Sequence, residues 1–255
     1  MALGQPARPV EGAAPAAPLW LHASPRQQRP RRRAALLKAR AVKLPVTSVA
    51  VAAVADVLAQ APAAPESWLS PGEWARAQRL RVPSRHRQYL AGHWLARLQL
   101  GRLLDRDPAE CVLIEREHLP PQVLDAPLQL SLSHSGNWIA CALSPAAIGI
   151  DLEERGRGPQ LRTFAHLLVA EEESPGELDD DTLLQRWVLK EALIKRDCGS
   201  ALPQYLASIL LQPCRQDDAE IELLSTTSFH LAVACVAPFD LELSGAQRQH
   251  WRVLS

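Results

Sequence analysis

The stretch that most constrains this chain is residues 186–196, RWVLKEALIKR. At 3.6 residues per turn, Val188, Leu189, Ala192 and Leu193 fall on one stripe, while Trp187, Glu191 and Lys195 follow one another at i, i+4 and i+8 on a second. The spacing predicts a helix that packs with one face and presents an acid and a base on the other. Taken by itself, that second face is better explained by a surface Glu–Lys pair, which stabilises a helix by about 0.2–0.5 kcal/mol.

An earlier segment adds weight to the chemical reading. In Ile148-Gly149-Ile150-Asp151-Leu152-Glu153-Glu154 the aliphatic residues alternate with Gly149, Asp151 and Glu153, so a strand would send the aliphatic side chains to one face and both carboxylates to the other. Neighbouring carboxylates repel, and either a solvated strand end or an intervening cation relieves them. With Glu191 as a third member, they form an all-oxygen set suited to a hard divalent ion such as Mg²⁺.

These two segments, GIDLE and WxxKEAxxK, stand after a third, Ser131-Leu132-Ser133-His134-Ser135-Gly136-Asn137-Trp138. In that order and spacing they resemble the 4'-phosphopantetheinyl transferase superfamily, which activates acyl and peptidyl carrier proteins, over roughly residues 46–240. The resemblance implies an α+β fold of two similar α/β halves related by a pseudo-twofold axis, with the active site in the cleft between them. The halves would be residues 46–145 and 146–255, after a basic tail of residues 1–45. It implies transfer of the 4'-phosphopantetheine arm of coenzyme A to a serine of an apo acyl or peptidyl carrier protein, with release of adenosine 3',5'-bisphosphate. The cofactor would be Mg²⁺, with Mn²⁺ as a substitute, on Asp151, Glu153 and Glu191. Glu191 would be the general base with Glu153 as second choice, and Lys195 would neutralise or protonate the leaving phosphate oxygen. Arg76, Arg87, Ser133, His134 and Lys195 would contact coenzyme A, Arg85 being weighed beside Arg87. Lys190 is expected to be solvated or to meet a partner, and Trp187 to line the cleft. Relatives of this length imply a monomer.

Formal net charge is zero, but residues 1–45 carry nine Lys or Arg against the single acid Glu11, a balance of +8, and the remainder is −8. The tail is rich in Pro, Ala and Arg, with RPRRR at residues 29–33, and lacks a periodic apolar face. Disorder is expected there, and a nucleic-acid arm or targeting peptide is the sharper alternative. No signal-peptide run or transmembrane span is evident, so neither membrane nor nucleic acid is expected as a partner. Cys111, Cys141, Cys198, Cys214 and Cys235 are odd in number and lack CxxC spacing, which fits buried thiols in a reducing cytoplasm.

Along the chain, Val46 to about Leu58 reads as a strand at its start. Ser70-Pro71-Gly72-Glu73 signals a helix start, with Ser70 as N-cap and Glu73 as capping-box partner. A second helix is expected from about Arg85 to Leu104, strands at 111–115, 128–132 and 138–143, a helix over about 161–173, and strands at 209–211, 221–224 and 230–236. Asp179, Asp180 and Asp181 read as acids at a helix N-terminus, favoured by its dipole, rather than as a metal cluster. The family's Gly-Lys/Arg-Pro element is replaced by His118-Leu119-Pro120-Pro121, and its Gly-x-Gly turn by Cys198-Gly199-Ser200. Two other classes of function share these features: a catalytically idle carrier-protein or RNA-binding protein of the same fold, and a metal-dependent pyrophosphate hydrolase.

Overall fold

The computed structural model describes residues 47–254 apart from 118, 125, 157–160, 170–177, 198–202, 236, 237 and 242. The described residues all belong to one compact unit, Ala41–Ser255. The basic tail, His118, Glu171–Glu173 and Cys198-Gly199-Ser200 lie outside them. The strands are β1 (Thr47–Ala53), β2 (Leu113–Arg116), β3 (Leu119–Val123), β4 (Gln129–Ser135), β5 (Trp138–Ser144), β6 (Ile148–Glu154), β7 (Leu211–Pro213), β8 (Ile221–Ser225), β9 (Phe229–Cys235), β10 (Phe239–Asp240) and β11 (Gln247–Val253). The α-helices are α1 (Val54–Leu58), α2 (Pro71–Arg79), α3 (Pro83–Leu104), α4 (Asp180–Arg196) and α5 (Pro203–Ser208). The fold is therefore α+β. Among the described residues no helix is long and apolar enough to cross a membrane.

One sheet has the order β10-β1-β5-β4 and the other β6-β9-β8-β11-β7, with β2-β3 as a separate hairpin. Strand alternation builds the layers. Along β5, Ile139, Cys141 and Leu143 face α3 in one core cluster, while Ala140 and Ala142 face the opposite way. The latter meet Ile148, Ile150 and Leu152 of β6 with Leu231 and Val233 of β9, so the middle core layer lies between the two sheets. The outer face of the second sheet, with Ala232, Ala234 and Leu223, packs under Val188, Leu189, Ala192 and Leu193 of α4. The apolar stripe expected of residues 186–196 is thus the buried face of α4.

The helix start at Ser70 holds: Glu73 Oε2 accepts the Ser70 backbone N–H at 2.8 Å. Glu73 does more than cap. Its carboxylate is fully buried and takes Arg97 at 2.7 and 2.8 Å and His93 at 2.6 Å, tying α2 to the middle of α3. Burial by itself raises the Glu73 pKa, but hydrogen bonds from His93 and Arg97 bring it down to about 2. Cys111, Cys141, Cys214 and Cys235 are thiols, all but Cys214 buried. The helix expected over 161–173 is a 3-10 segment, Arg162–Leu167, as far as it is described.

Candidate functional site

The site forms where the two sheets meet edge to edge. Strands β4 and β6 share no backbone ladder; serine hydroxyls bridge them. Ser131 Oγ accepts the Ile150 N–H and Ser133 Oγ the Leu152 N–H, each at 3.1 Å. Both indices rise together, so the strands run the same way along this seam. Alternation puts Ser131, Ser133 and Ser135 on the seam side of β4. Ser133 Oγ donates to Asp151 Oδ1 at 2.8 Å, and Ser135 Oγ to Glu153 Oε2 at 2.5 Å. Gly136, at φ +53°, turns the chain from β4 to β5, and a Cβ there would land 1.7 Å from the Glu154 carboxylate. The positive φ favours glycine at that position, and a side chain there would also displace the Glu154 carboxylate.

Gly149, Asp151 and Glu153 face α4. The helix backbone approaches β6 so closely that a Cβ on Gly149 would lie 1.9 Å from the Ala192 carbonyl oxygen and 2.3 Å from the Arg196 nitrogen. This contact brings the end of α4 over the acids. Lys195 Nζ sits 2.6 Å from Asp151 Oδ1 and 3.3 Å from Ser133 Oγ. Glu191, one turn earlier on the helix, is half-buried, and Trp187 packs partly buried on the core beneath α4. Asp151 is mid-strand and only 5% exposed, so a solvated strand end does not describe it.

Lys190 is a correction. Expected to be solvated or to meet a partner, it is 1% exposed and donates to the carbonyls of Leu167 at 2.8 Å and Leu206 at 2.7 Å. It ties the 3-10 segment and α5 to α4, because a buried ammonium needs acceptors and the last turns of those two short segments supply them.

On the far side of β4, His134 lines a groove with Ser84, Arg85, Gln88, Ser135 and Asn137. Arg85 Nη1 donates to His134 Nδ1 at 3.2 Å. A guanidinium can only donate, so Nδ1 is the acceptor and the imidazole proton is on Nε2. Burial, then the charge of Arg85 and of Lys195, pushes the His134 pKa below its ordinary value. This neutral imidazole can donate to an anion from Nε2. Of the other arginines, Arg76 is paired with Glu115 at 2.6 Å on the α2 side, and Arg87 is exposed on α3. Arg85 is the arginine that the structure puts against His134.

The donor chemistry fits a hard divalent cation. Asp151 Oδ2 is buried with no hydrogen-bond partner, and the neighbouring acid, Glu153, is on the same face of β6. Two carboxylates are enough for Mg²⁺, which takes its remaining ligands from water and substrate phosphates. Among the described residues no three His, Cys, Asp or Glu side chains stand together around one point, and Lys195 balances the charge of Asp151.

Sequence reasoning left Ser135 without a role and passed over a buried network behind Glu153. His230 Nε2 lies 2.9 Å from Asp181 Oδ1, His230 Nδ1 2.8 Å from Ser225 Oγ, and Arg155 Nη2 2.8 Å from Asp181 Oδ2. The capping reading of the acid run holds at Asp179, which accepts the Thr182 N–H at 2.7 Å, whereas Asp181 turns inward to His230. No local signal marks a pair 49 residues apart.

No family model matches the chain. It is similar to 4'-phosphopantetheinyl transferase Sfp of Bacillus subtilis, 25% identical over 166 residues that span 62% of this chain and 72% of that protein. It is 31% identical over 156 residues to 4'-phosphopantetheinyl transferase psf-1 of Bacillus pumilus, spanning 58% and 66%, and 31% identical over 139 residues to 4'-phosphopantetheinyl transferase HetI of a Nostoc species, spanning 50% and 58%. The chain thus spans less than two thirds of the length of the latter two relatives. The seam serines, the buried acids of β6 and Lys195 lie in one place, these relatives all carry one enzyme name, and together they support the 4'-phosphopantetheinyl transferase superfamily for this chain.

Proposed function

We propose that the chain transfers the 4'-phosphopantetheine arm of coenzyme A to a serine of an apo acyl or peptidyl carrier protein, releasing adenosine 3',5'-bisphosphate. The observation that carries this reading is the convergence of Lys195 Nζ, Ser133 Oγ and Asp151 on one point of the seam, beside the unpartnered Asp151 Oδ2. A phosphoryl-transfer site needs positioned positive charge and oxygen ligands more than covalent chemistry. The site would lie between two halves, residues 46–145 and 146–255, after a tail that takes no part.

The divalent ion, Mg²⁺ or Mn²⁺ on Asp151 and Glu153 with Glu191 as third ligand, would supply positive charge against the pyrophosphate oxygens. The residues of the chain do the rest. His134 donates Nε2–H to a cofactor phosphate, and Arg85 keeps that tautomer in place. Glu191 takes the proton from the attacking serine hydroxyl, with Glu153 as the second candidate. Lys195, held at Ser133 and Asp151, faces the phosphate oxygen that leaves with the adenosine moiety and stabilises its charge. The serine oxygen forms the new bond to the phosphorus that bears pantetheine, as the bond between that phosphorus and the bridging pyrophosphate oxygen breaks and the oxygen leaves with adenosine 3',5'-bisphosphate.

Purified protein mixed with Mg²⁺, coenzyme A and several apo carriers tests this by mass spectrometry. The expected product is a phosphopantetheine adduct on one carrier serine, abolished by a chelator. Coenzyme A cleaved with no adduct on any carrier would refute the transfer and point to hydrolysis.

A further inference from the structure

Helix α4 lays its apolar stripe on the second sheet, and a closer contact fixes it near each end. Near its C-terminal end, the backbone at Ala192 and Arg196 rests on Gly149. Near its N-terminal end, Asp181 meets His230. In the antiparallel pairing of β6 with β9, His230 lies directly opposite Glu153, and residues so paired project to the same face of the sheet. His230 therefore stands behind Glu153 on the α4 side, fully buried.

The direction of each bond in this network follows from chemistry. A carboxylate accepts, so His230 Nε2 carries the proton that Asp181 Oδ1 receives. Burial pushes the His230 pKa below its ordinary value, against the opposing pull of Asp181, so the ring is neutral near pH 7. Its Nδ1 then accepts from the Ser225 hydroxyl. The order serine, histidine, carboxylate is that of a nucleophilic triad, but Ser225 is only 8% exposed and His230 not at all, so no substrate reaches them. Arg155, in the residue pair just after Glu153 and Glu154, closes the network. It binds Asp181 Oδ2 at 2.8 Å and the Thr226 carbonyl at 2.9 Å.

Building on the proposed transfer reaction, we propose that His230 is a positioning residue. With Asp181 and Arg155 it pins the first turn of α4 to the strand end that carries Glu153, while Gly149 sets the height of the last turn. Glu191 and Lys195 sit toward the Gly149 end, and their register over Asp151 and Glu153 depends on both contacts. Apolar packing along the stripe has no direction of its own, so a helix without the polar contact at its first turn can tilt or slide by a fraction of an ångström, and misplacement on that scale costs a reaction far more than it costs a fold.

The test compares His230→Leu, which keeps the volume and removes both ring nitrogens, with His230→Gln, whose terminal amide can still donate to Asp181. Expected for His230→Leu is a fall in kcat of transfer on the order of 10- to 100-fold, with KM for coenzyme A changed less than about twofold. His230→Gln should recover most of the lost kcat. In a Lys195→Ala background His230→Leu should cost less than about twofold more, because the two act through one helix. Unchanged kcat in His230→Leu, equal loss in the Leu and Gln variants, or a fully additive loss with Lys195→Ala would each overturn the proposal. A readout independent of activity is the ¹⁵N NMR pattern of His230 in the full chain. An Nε2–H tautomer supports the network, and an Nδ1–H tautomer overturns it. Should the unmodified protein transfer nothing to any carrier, the functional reading fails, and the NMR pattern by itself then decides whether the His230–Asp181 network stands.

Discussion

Replacing Arg97 by Met would test the buried ion pair that ties α2 to α3. Arg97 is 1% exposed, binds Glu73 through both terminal nitrogens, and lies 5.2 Å over the Trp68 ring. Glu73, fully buried, titrates at about 2 instead of its ordinary 4.5. That difference of about 2.5 units, at about 1.36 kcal/mol each, corresponds to roughly 3 kcal/mol of stability held by the ionised form. Because the folded pKa is depressed, this stability is present above about pH 4.5 and is lost as pH falls through about 2. Methionine fills much of the same volume but leaves Glu73 with only His93 and the Ser70 amide, so burial then dominates and raises the carboxyl pKa. Breaking a buried pair by removing one partner costs about 3–5 kcal/mol at pH 7. Urea unfolding of the wild type and Arg97→Met at pH 7 and at pH 4 measures it. The expected gap of about 3–5 kcal/mol at pH 7 should narrow at pH 4, where the variant's Glu73 is protonated and tolerates the apolar neighbour. The double change Glu73→Gln with Arg97→Met should recover part of the loss. A gap below about 1 kcal/mol at pH 7, or one that widens on acidification, would refute the reasoning.

Three further outcomes follow from the site. Gly149→Ala forces a Cβ into the α4 backbone, so transfer should fall by about tenfold or more while stability drops by about 1–3 kcal/mol; normal turnover would mean that α4 can shift without consequence. Lys190→Met leaves the Leu167 and Leu206 carbonyls without this donor, and a melting temperature equal to the wild type would show that water replaces the ammonium; the expected loss is about 2–4 kcal/mol. Lys195→Ala should lower kcat by about 10²–10³ with a melting temperature close to the wild type, since its side chain is partly exposed, and unchanged kcat would remove it from the mechanism.

The elements legible from sequence were those whose burial follows a local period. The alternation of Ile148, Ile150 and Leu152 gave β6 its two faces, and Val188, Leu189, Ala192 and Leu193 gave α4 its buried stripe. Strand β11 was not legible because Gln247–Val253 buries only Trp251, and its pairing with β8 and β7 rather than its own pattern makes it a strand. At the site, the motif segments contain the acids, Lys195 and the seam serines, but they do not show what surrounds them. A lysine donating to two carbonyls from separate segments, as Lys190 does, has the same local sequence as a solvated one. Arg97 with Glu73 and His230 with Asp181 are separated along the chain by more than any helical or strand period, and burial alone selects them.

The seam between β4 and β6 bears on how this protein can change over time. Within each sheet a main-chain ladder keeps its geometry whatever the side chains are, so many positions there can vary without moving their neighbours. Across the seam no such ladder exists, and spacing rests on Ser131, Ser133 and Ser135. A single hydroxyl, that of Ser133, receives the Leu152 amide and meets both Asp151 and Lys195. In the pairing of strands, drift in sequence is therefore buffered within each sheet but not along this one line of three small side chains, where a change of one atom alters the alignment of the two sheets and the chemistry together.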